Sequence, residues 1–429
     1  MKRKLSLILL ACLWVFAAVA ADSDLAAKLS KLKGVKSVEK LESEKFPEKY
    51  LVLFEQQVDP KDPSAGTFTQ RVIVCHKGYD KPTVQVTEGY GAQYALWPRY
   101  EDELSRLFDT NVIFVEHRYF LDSTPEPCNW DYLTAENSAY DLHNVNQTFK
   151  HLYPGKWITT GVSKGGQTTM IYRSFFPDDV DFSVPYVVPL NTAVEDGRHE
   201  PFLRVVGTAD ARKKIHEFQR TVLKRRAEIR PLMENLIKEK GYKFRIPMDE
   251  VLDLCVLEYP FAFWQWGNDV NKIPASDADA ETIFKHLISD SGPEYFAEDQ
   301  PNIPFFVQAA RELGYYGYDI VGLEDLLSIK SPDGYLNKIM LPAELVDKIE
   351  WRPEVSQQVY EYLKNNDPKM IFIYGEIDPW SATAAPAFPG KINEQVYVQP
   401  GGSHKARISN MPPEMKEKIM NQIKAWLAE

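Results

Sequence analysis

Short apolar runs bounded by turn residues recur through the first half of the chain, at 50–54, 71–75, 83–87, 112–116, 157–160 and 184–188. Two intervening segments, 94–108 and 135–153, carry helical spacing; the second has Thr134 and Glu136 at its start and Pro154 just behind it. Strands alternating with helices predict an α/β fold, a mostly parallel sheet covered by helices on both faces. The earliest runs lie close together and read as antiparallel strands ahead of it.

The alternation stops after Asn191. From about Arg198 to Tyr362 the pattern is mainly helical, with no obvious central strand. Strand signals return at 370–374 and 395–398, followed by an amphipathic helix over 413–427. The expected organisation is therefore a core in two parts, 21–191 and 366–429, split by a helical cap over 192–365. Within the cap, Arg212 to Arg245 holds twelve Lys and Arg against four Glu. Ile215, Phe218, Val222, Leu232 and Ile237 recur on one side of that stretch, so the charges are expected on the solvated face of cap helices rather than on a nucleic-acid surface.

Lys2, Arg3 and Lys4 precede an apolar stretch from Leu5 to Phe16 and the small-residue site Ala18-Val19-Ala20. This is the layout of a signal peptide removed after about Ala20, and it predicts export to the periplasm or beyond the cell. A lipobox-like Leu9-Leu10-Ala11-Cys12 is the weaker alternative, because the residues after Cys12 stay apolar. No later run is long enough to span a bilayer. Without residues 1–20 the net charge goes from −11 to −14, 47 basic against 61 acidic. Such a surface disfavours nucleic acid as partner. The remaining cysteines, Cys75, Cys128 and Cys255, allow at most one disulfide. No C-x-x-C, H-E-x-x-H or P-loop is present, so neither a metal nor a nucleotide cofactor is indicated.

The chemistry centres on Gly161-Val162-Ser163-Lys164-Gly165, a G-x-S-x-G pentapeptide. A strand precedes it, and a helix from about Gln167 follows until Pro177. Strand, sharp turn with serine, and helix form a nucleophile elbow. A serine needs a base and the base an orienting acid, in the chain order Ser, Asp or Glu, His. Asp378 lies just past the strand at 370–374, and His404 just past the strand at 395–398. Both sit at the edge where open α/β sheets build their sites. Glu376 is the competing acid, nearer its strand end. His76, His117, His143, His151, His199, His216 and His286 all precede the acid. For an oxyanion, the N–H of Lys164 and one from Gly89 or Tyr90 in Thr87–Gln93 are expected. The Lys164 side chain is read as solvated. Glu88 is left with two roles, binding a substrate amine or bracing its loop.

Four segments together resemble the secreted bacterial tripeptidyl aminopeptidases, a family of serine peptidases: VEHRYFLDSTPEP (115–127), WDYLTAENSAYDLH (130–143), WITTGVSKGGQTTMIYRSFFPDDVD (157–181) and EYPFAFWQWG (258–267). A more distant likeness is to the prolylcarboxypeptidase and dipeptidyl peptidase family. The resemblance implies an α/β-hydrolase core with a helical cap, and release of short peptides from N-termini without a cofactor. It carries the family's triad onto Ser163, Asp378 and His404. Gln167 stands where that family leads one to expect Met. Phe263, Trp264 and Trp266 are candidates to line a substrate pocket, with the cap's own core as the competing assignment. A capped esterase or lipase, a prolyl-specific dipeptidyl peptidase or carboxypeptidase, and a silent hydrolase-fold binding protein are the alternative functions.

Overall fold

A computed structural model describes residues 24–429; the expected leader and Cys12 lie outside the described residues. Nine strands form one sheet: β1 (Val35–Leu41), β2 (Glu48–Gln57), β3 (Thr67–His76), β4 (Thr83–Thr87), β5 (Asn111–Val115), β6 (Trp157–Val162), β7 (Phe182–Tyr186), β8 (Met370–Gly375) and β9 (Glu394–Gln399). Their order is β1-β2-β3-β5-β4-β6-β7-β8-β9. The β1–β2, β2–β3 and β3–β5 pairs are antiparallel, and every pair from β5 to β9 is parallel. This is the α/β-hydrolase arrangement. Every residue of β4, β5, β7 and β8 is buried, as central strands covered on both faces require.

Three sequence expectations need correction. β1 was not foreseen: it is an edge strand with apolar residues every third position and Lys and Glu between, which hides the period of two. The helix expected over 94–108 is a 3-10 turn, Gln93–Leu96, and a short helix, Glu103–Phe108. Pro98 lacks the donor a continuous helix needs, and Asp102 starts the second piece by accepting from the N–H groups of Leu104 and Ser105. The strand expected at 184–188 runs two residues earlier and stops at Val187, whose φ is 46°.

Between β7 and β8 the described chain contributes no strand to the sheet. Its helices include Ala209–Lys224, Arg226–Lys240, Met248–Trp266 and Ala280–Asp290. Ile215, Phe218, Val222, Met233 and Ile237 are buried in their common core, and Leu232 is half-buried against it. The basic residues of this stretch thus sit opposite a packed apolar face. Among the described residues no helix is long and apolar enough to cross a membrane. Cys75 and Cys255 are buried and Cys128 is exposed; all three are free thiols.

The Glu-His-Arg-Tyr run after β5 is structural. Glu116 is fully buried and accepts from Arg71 Nε (2.8 Å), Ser123 Oγ (2.7 Å) and the Ala92 N–H (2.7 Å). The His117 N–H donates to Tyr90 O. Arg118 is 1% exposed; it donates to both carboxylate oxygens of Asp141 (2.7 and 2.8 Å) and to the carbonyls of Gln57, Val58 and Tyr132. The end of β5 therefore fixes the 90–92 loop on one side and the helix Ala135–Lys150 on the other. Truncating one partner of a buried ion pair leaves the other charge uncompensated. Arg118→Ala is expected to lower the unfolding free energy by about 3–5 kcal/mol in urea titrations. Arg118→Met combined with Asp141→Leu should recover the part of that loss due to the uncompensated charge, while the carbonyls of Gln57, Val58 and Tyr132 stay without their donor.

Candidate active site

Ser163 sits between β6 and the helix Lys164–Phe175 with φ 57° and ψ −122°, a strained conformation for a residue with a Cβ. It is held at both ends: its N–H donates to Tyr186 O, and its carbonyl accepts from the Gln167 N–H, both at 2.9 Å. The flanking glycines are required by contact distance. A Cβ on Gly161 would lie 2.2 Å from Gly165 O, and one on Gly166 would lie 2.8 Å from Tyr186 O. Thr87 Oγ1 donates across the same gap to Gly165 O at 3.0 Å.

Asp378 follows β8 and is fully buried. Its Oδ1 accepts from the Trp380 N–H (3.2 Å), and its Oδ2 accepts from His404 Nδ1 (2.7 Å). His404 follows β9 and is 5% exposed. Its backbone N–H donates to Gln265 O, and its ring stands edge-on to Trp266 at 6.0 Å. Nε2 of His404 is buried and has no hydrogen-bond partner among the described residues. The competing acid, Glu376, is exposed and accepts from the Gly401 N–H at 2.6 Å. His199 is buried with its ring nitrogens at Pro379 O and Asn191 Oδ1, and burial pushes it down to about 4. It braces the turn after Asp378.

Lys164 departs from expectation. Its side chain is 2% exposed rather than solvated, and Nζ donates to Gly89 O at 2.7 Å while lying over the rings of Tyr90 and Phe120. Burial holds its ammonium well below the usual lysine range. Glu88 accepts from the Tyr90 N–H (3.1 Å) and Tyr94 Oη (2.5 Å), and burial raises its carboxyl. The Gly89–Tyr90 peptide is thus gripped at its oxygen by Lys164 and at its nitrogen by Glu88. Of the two roles considered for Glu88, its bonds are those of a loop brace.

A cavity of about 600 Å³ opens on Ser163. The sheet side supplies Tyr90 and Trp380, and the inserted helical segment supplies Glu258, Gln265, Trp266, Gln300, Phe305, Tyr315 and Tyr316 among others. Of the three aromatics singled out in sequence, Trp266 alone lines it. Phe263 is fully buried, and Trp264 is in the core of the inserted segment. A smaller recess beside Ser163 shares Tyr90, Phe305 and Trp380 with the main cavity and is also lined by Gln167. The Gln167 amide donates to Leu313 O (3.1 Å), tying the helix after Ser163 to the inserted segment. Trp380, Phe305 and the Tyr315–Tyr316 pair were not foreseen. Trp380 was legible as the second residue after Asp378; the others carry no local signal. Among the described residues no cluster of His, Cys, Asp and Glu could hold a metal.

Glu258 is the buried carboxyl of the cavity. It accepts from Tyr316 Oη at 2.9 Å and from Tyr318 Oη at 2.7 Å, and burial raises it to about 7 despite those bonds.

The family model for PS-10 peptidase S37 matches residues 19–428. A prolyl tri/tetrapeptidyl aminopeptidase of Streptomyces mobaraensis is 30% identical over 420 residues, covering 95% of this chain and 86% of that protein. Among solved structures, a proline iminopeptidase of Mycobacterium smegmatis aligns at TM-score 0.40 and 12% identity, over 84% of this chain and 96% of its own. A fungal esterase structure from Rhizomucor miehei aligns at TM-score 0.35 and 12% identity, over 90% and 84%.

The raised Glu258 makes stability pH-dependent. Between pH 4.5 and 7 the folded carboxyl retains a proton that the unfolded chain has released, so stability falls as pH rises through that window. The unfolding free energy of Glu258→Gln minus that of the parent is expected to grow by about 3 kcal/mol from pH 4.5 to 8, read by denaturant titration at each pH.

Proposed function

The chain belongs to the PS-10 peptidase S37 family, and from that membership we propose an exported serine exopeptidase that releases short peptides, tripeptides foremost, from free N-termini. That it is a serine peptidase follows from the family and from the aminopeptidase relative. The observation that carries the finer reading is Ser163 at positive φ on the wall of a largely aromatic cavity, with the Asp378–His404 pair buried at the same edge of the sheet.

In this reading Ser163 Oγ attacks the peptide carbonyl, and His404 Nε2, the ring nitrogen without a partner, takes its proton. Asp378 fixes the tautomer and stabilises the imidazolium. The N–H of Lys164, in the first turn of its helix where donors have no intrahelical acceptor, receives the oxyanion together with a donor from the 89–90 loop. Glu88 faces the N–H groups of both Gly89 and Tyr90, so that second donor stays assigned to Gly89 or Tyr90. His404 then protonates the leaving amine, and water hydrolyses the acyl-enzyme. The inserted helices act as a cap over residues 192–365 that limits what reaches Ser163.

The rings of Tyr90, Phe305 and Trp380 converge on Ser163 and suit a pyrrolidine ring on the acyl side of the scissile bond. The Streptomyces relative is a prolyl tri/tetrapeptidyl aminopeptidase, which agrees with that. Tripeptide anilides ending in proline are expected to exceed their alanine counterparts in kcat/KM by more than about tenfold, roughly 1.4 kcal/mol of discrimination; equal values would remove the prolyl assignment. Ser163→Ala should lower kcat by about 10⁴-fold or more and abolish fluorophosphonate labelling with its thermal unfolding unchanged; retained turnover would sink the nucleophile. Lys164→Met should lower kcat by about 10–100-fold with little change in KM, because it frees the carbonyl of the oxyanion loop. N-terminal sequencing of the exported protein should begin after about Ala20.

A further inference from the structure

An enzyme that counts residues from a free N-terminus must hold the α-ammonium at a fixed distance from its nucleophile. Glu88, in the loop beside Lys164, is committed to Tyr90 and Tyr94. The cavity offers another. Glu258 projects from the helix Met248–Trp266, is 6% exposed, and forms no ion pair with any described residue. Its Oε1 accepts from Tyr316 alone, which leaves a carboxylate oxygen with unused acceptor capacity. A buried carboxylate without a cation is costly, and a cationic ligand removes that cost.

The surroundings fit a peptide N-terminus. Tyr315 and Tyr316 stack at 4.2 Å and meet Trp380 edge-on at 5.5 and 5.3 Å, forming one packed aromatic wall of the cavity beside Glu258. Two buried donors of the cavity lack acceptors, Trp380 Nε1 and Gln300 Nε2. Gln300 is 6% exposed, and its Oε1 is already engaged by the Asn302 N–H at 2.8 Å, which fixes the amide's orientation. Orphan buried N–H groups in a substrate cavity are matched by peptide carbonyls. A carboxylate for the ammonium and two donors for the carbonyls form one complementary set.

We infer that Glu258 is the anchor for the substrate's α-ammonium, with Gln300 and Trp380 donating to carbonyls of the residues between it and the scissile bond. This rests on the exopeptidase reading and sharpens it: the length of the released peptide is set by the span from Glu258 to Ser163. Of the other carboxylates lining the cavity, Glu294 and Asp299 are exposed, and Asp290, with Oδ2 buried and unpartnered among the described residues, faces His286 and Ser289 and is less buried than Glu258.

The test compares a free tripeptide anilide with its N-acetyl form on the parent, Glu258→Gln, Glu258→Asp and Asp290→Asn. Fluorophosphonate labelling of Ser163 reports that each variant retains a folded site. The parent is expected to favour the free amine by about 100-fold or more in kcat/KM. Glu258→Gln should collapse that ratio to below about fivefold, chiefly through KM of the free peptide. Glu258→Asp, which keeps the charge but withdraws it by one methylene, should retain an intermediate ratio, and it stands in if the Gln variant fails to label. Asp290→Asn should keep the parent ratio. A parent-like ratio in Glu258→Gln, or its collapse in Asp290→Asn, overturns the assignment. A parent that labels at Ser163 yet ignores the N-terminus overturns the exopeptidase reading instead.

Discussion

The site depends on how closely four pieces of backbone approach one another: the end of β6, the first turn of the following helix, the end of β4 and the end of β7. Gly161, Gly165 and Gly166 lie where any Cβ would collide with a carbonyl oxygen within 3 Å. That approach goes with a positive φ of 57° at Ser163. It also brings the Thr87–Gly89 backbone against the helix N-terminus, where unpaired N–H groups gather. The strain at Ser163 persists because hydrogen bonds to Tyr186 and Gln167 hold it on both sides. The geometry of the serine is thus a packing consequence before it is a chemical one.

Around that centre, charge is used to position backbone. Glu116 holds the Ala92 N–H, Lys164 holds Gly89 O, and Glu88 holds the Tyr90 N–H. Three ionisable groups thereby hold the 89–92 loop, and Glu116 is itself paired with Arg71. Glu258 accepts from tyrosine hydroxyls instead of an ion-pair partner, and it faces the cavity.

The legible parts of the sequence were those with one physical solution. Central strands read as unbroken apolar runs because both faces are covered. The elbow was readable because only glycine fits at its flanks, and the meeting of Asp378 with His404 because both follow neighbouring parallel strands at one sheet edge. The remainder had competing solutions. β1 hides its alternation under edge charges. The segment 94–108 has helical spacing interrupted by Pro98. The helix Met248–Trp266 is apolar nearly all round, so nothing in its pattern separates buried Phe263 from Trp266 at the cavity. The role of Lys164 depends on Gly89, 75 residues away, and that of Glu88 on a turn that brings Tyr90 and Tyr94 back to it, and no local period reports those.

Trp380 stands two residues beyond Asp378, in the same turn, and its ring forms part of the cavity wall. The wall on the sheet side is therefore joined to the carboxylate that bonds His404 Nδ1, and substitutions there act on the cavity and on the Asp378–His404 pair together. The opposite wall rests on the inserted segment, whose core takes in Trp380, Tyr119 and Phe120 as well, and its Gln265 O accepts from the His404 N–H. Changes of peptide preference therefore have more room at Gln300 and Tyr316 than at Gln265 or Trp266, which touch His404 itself.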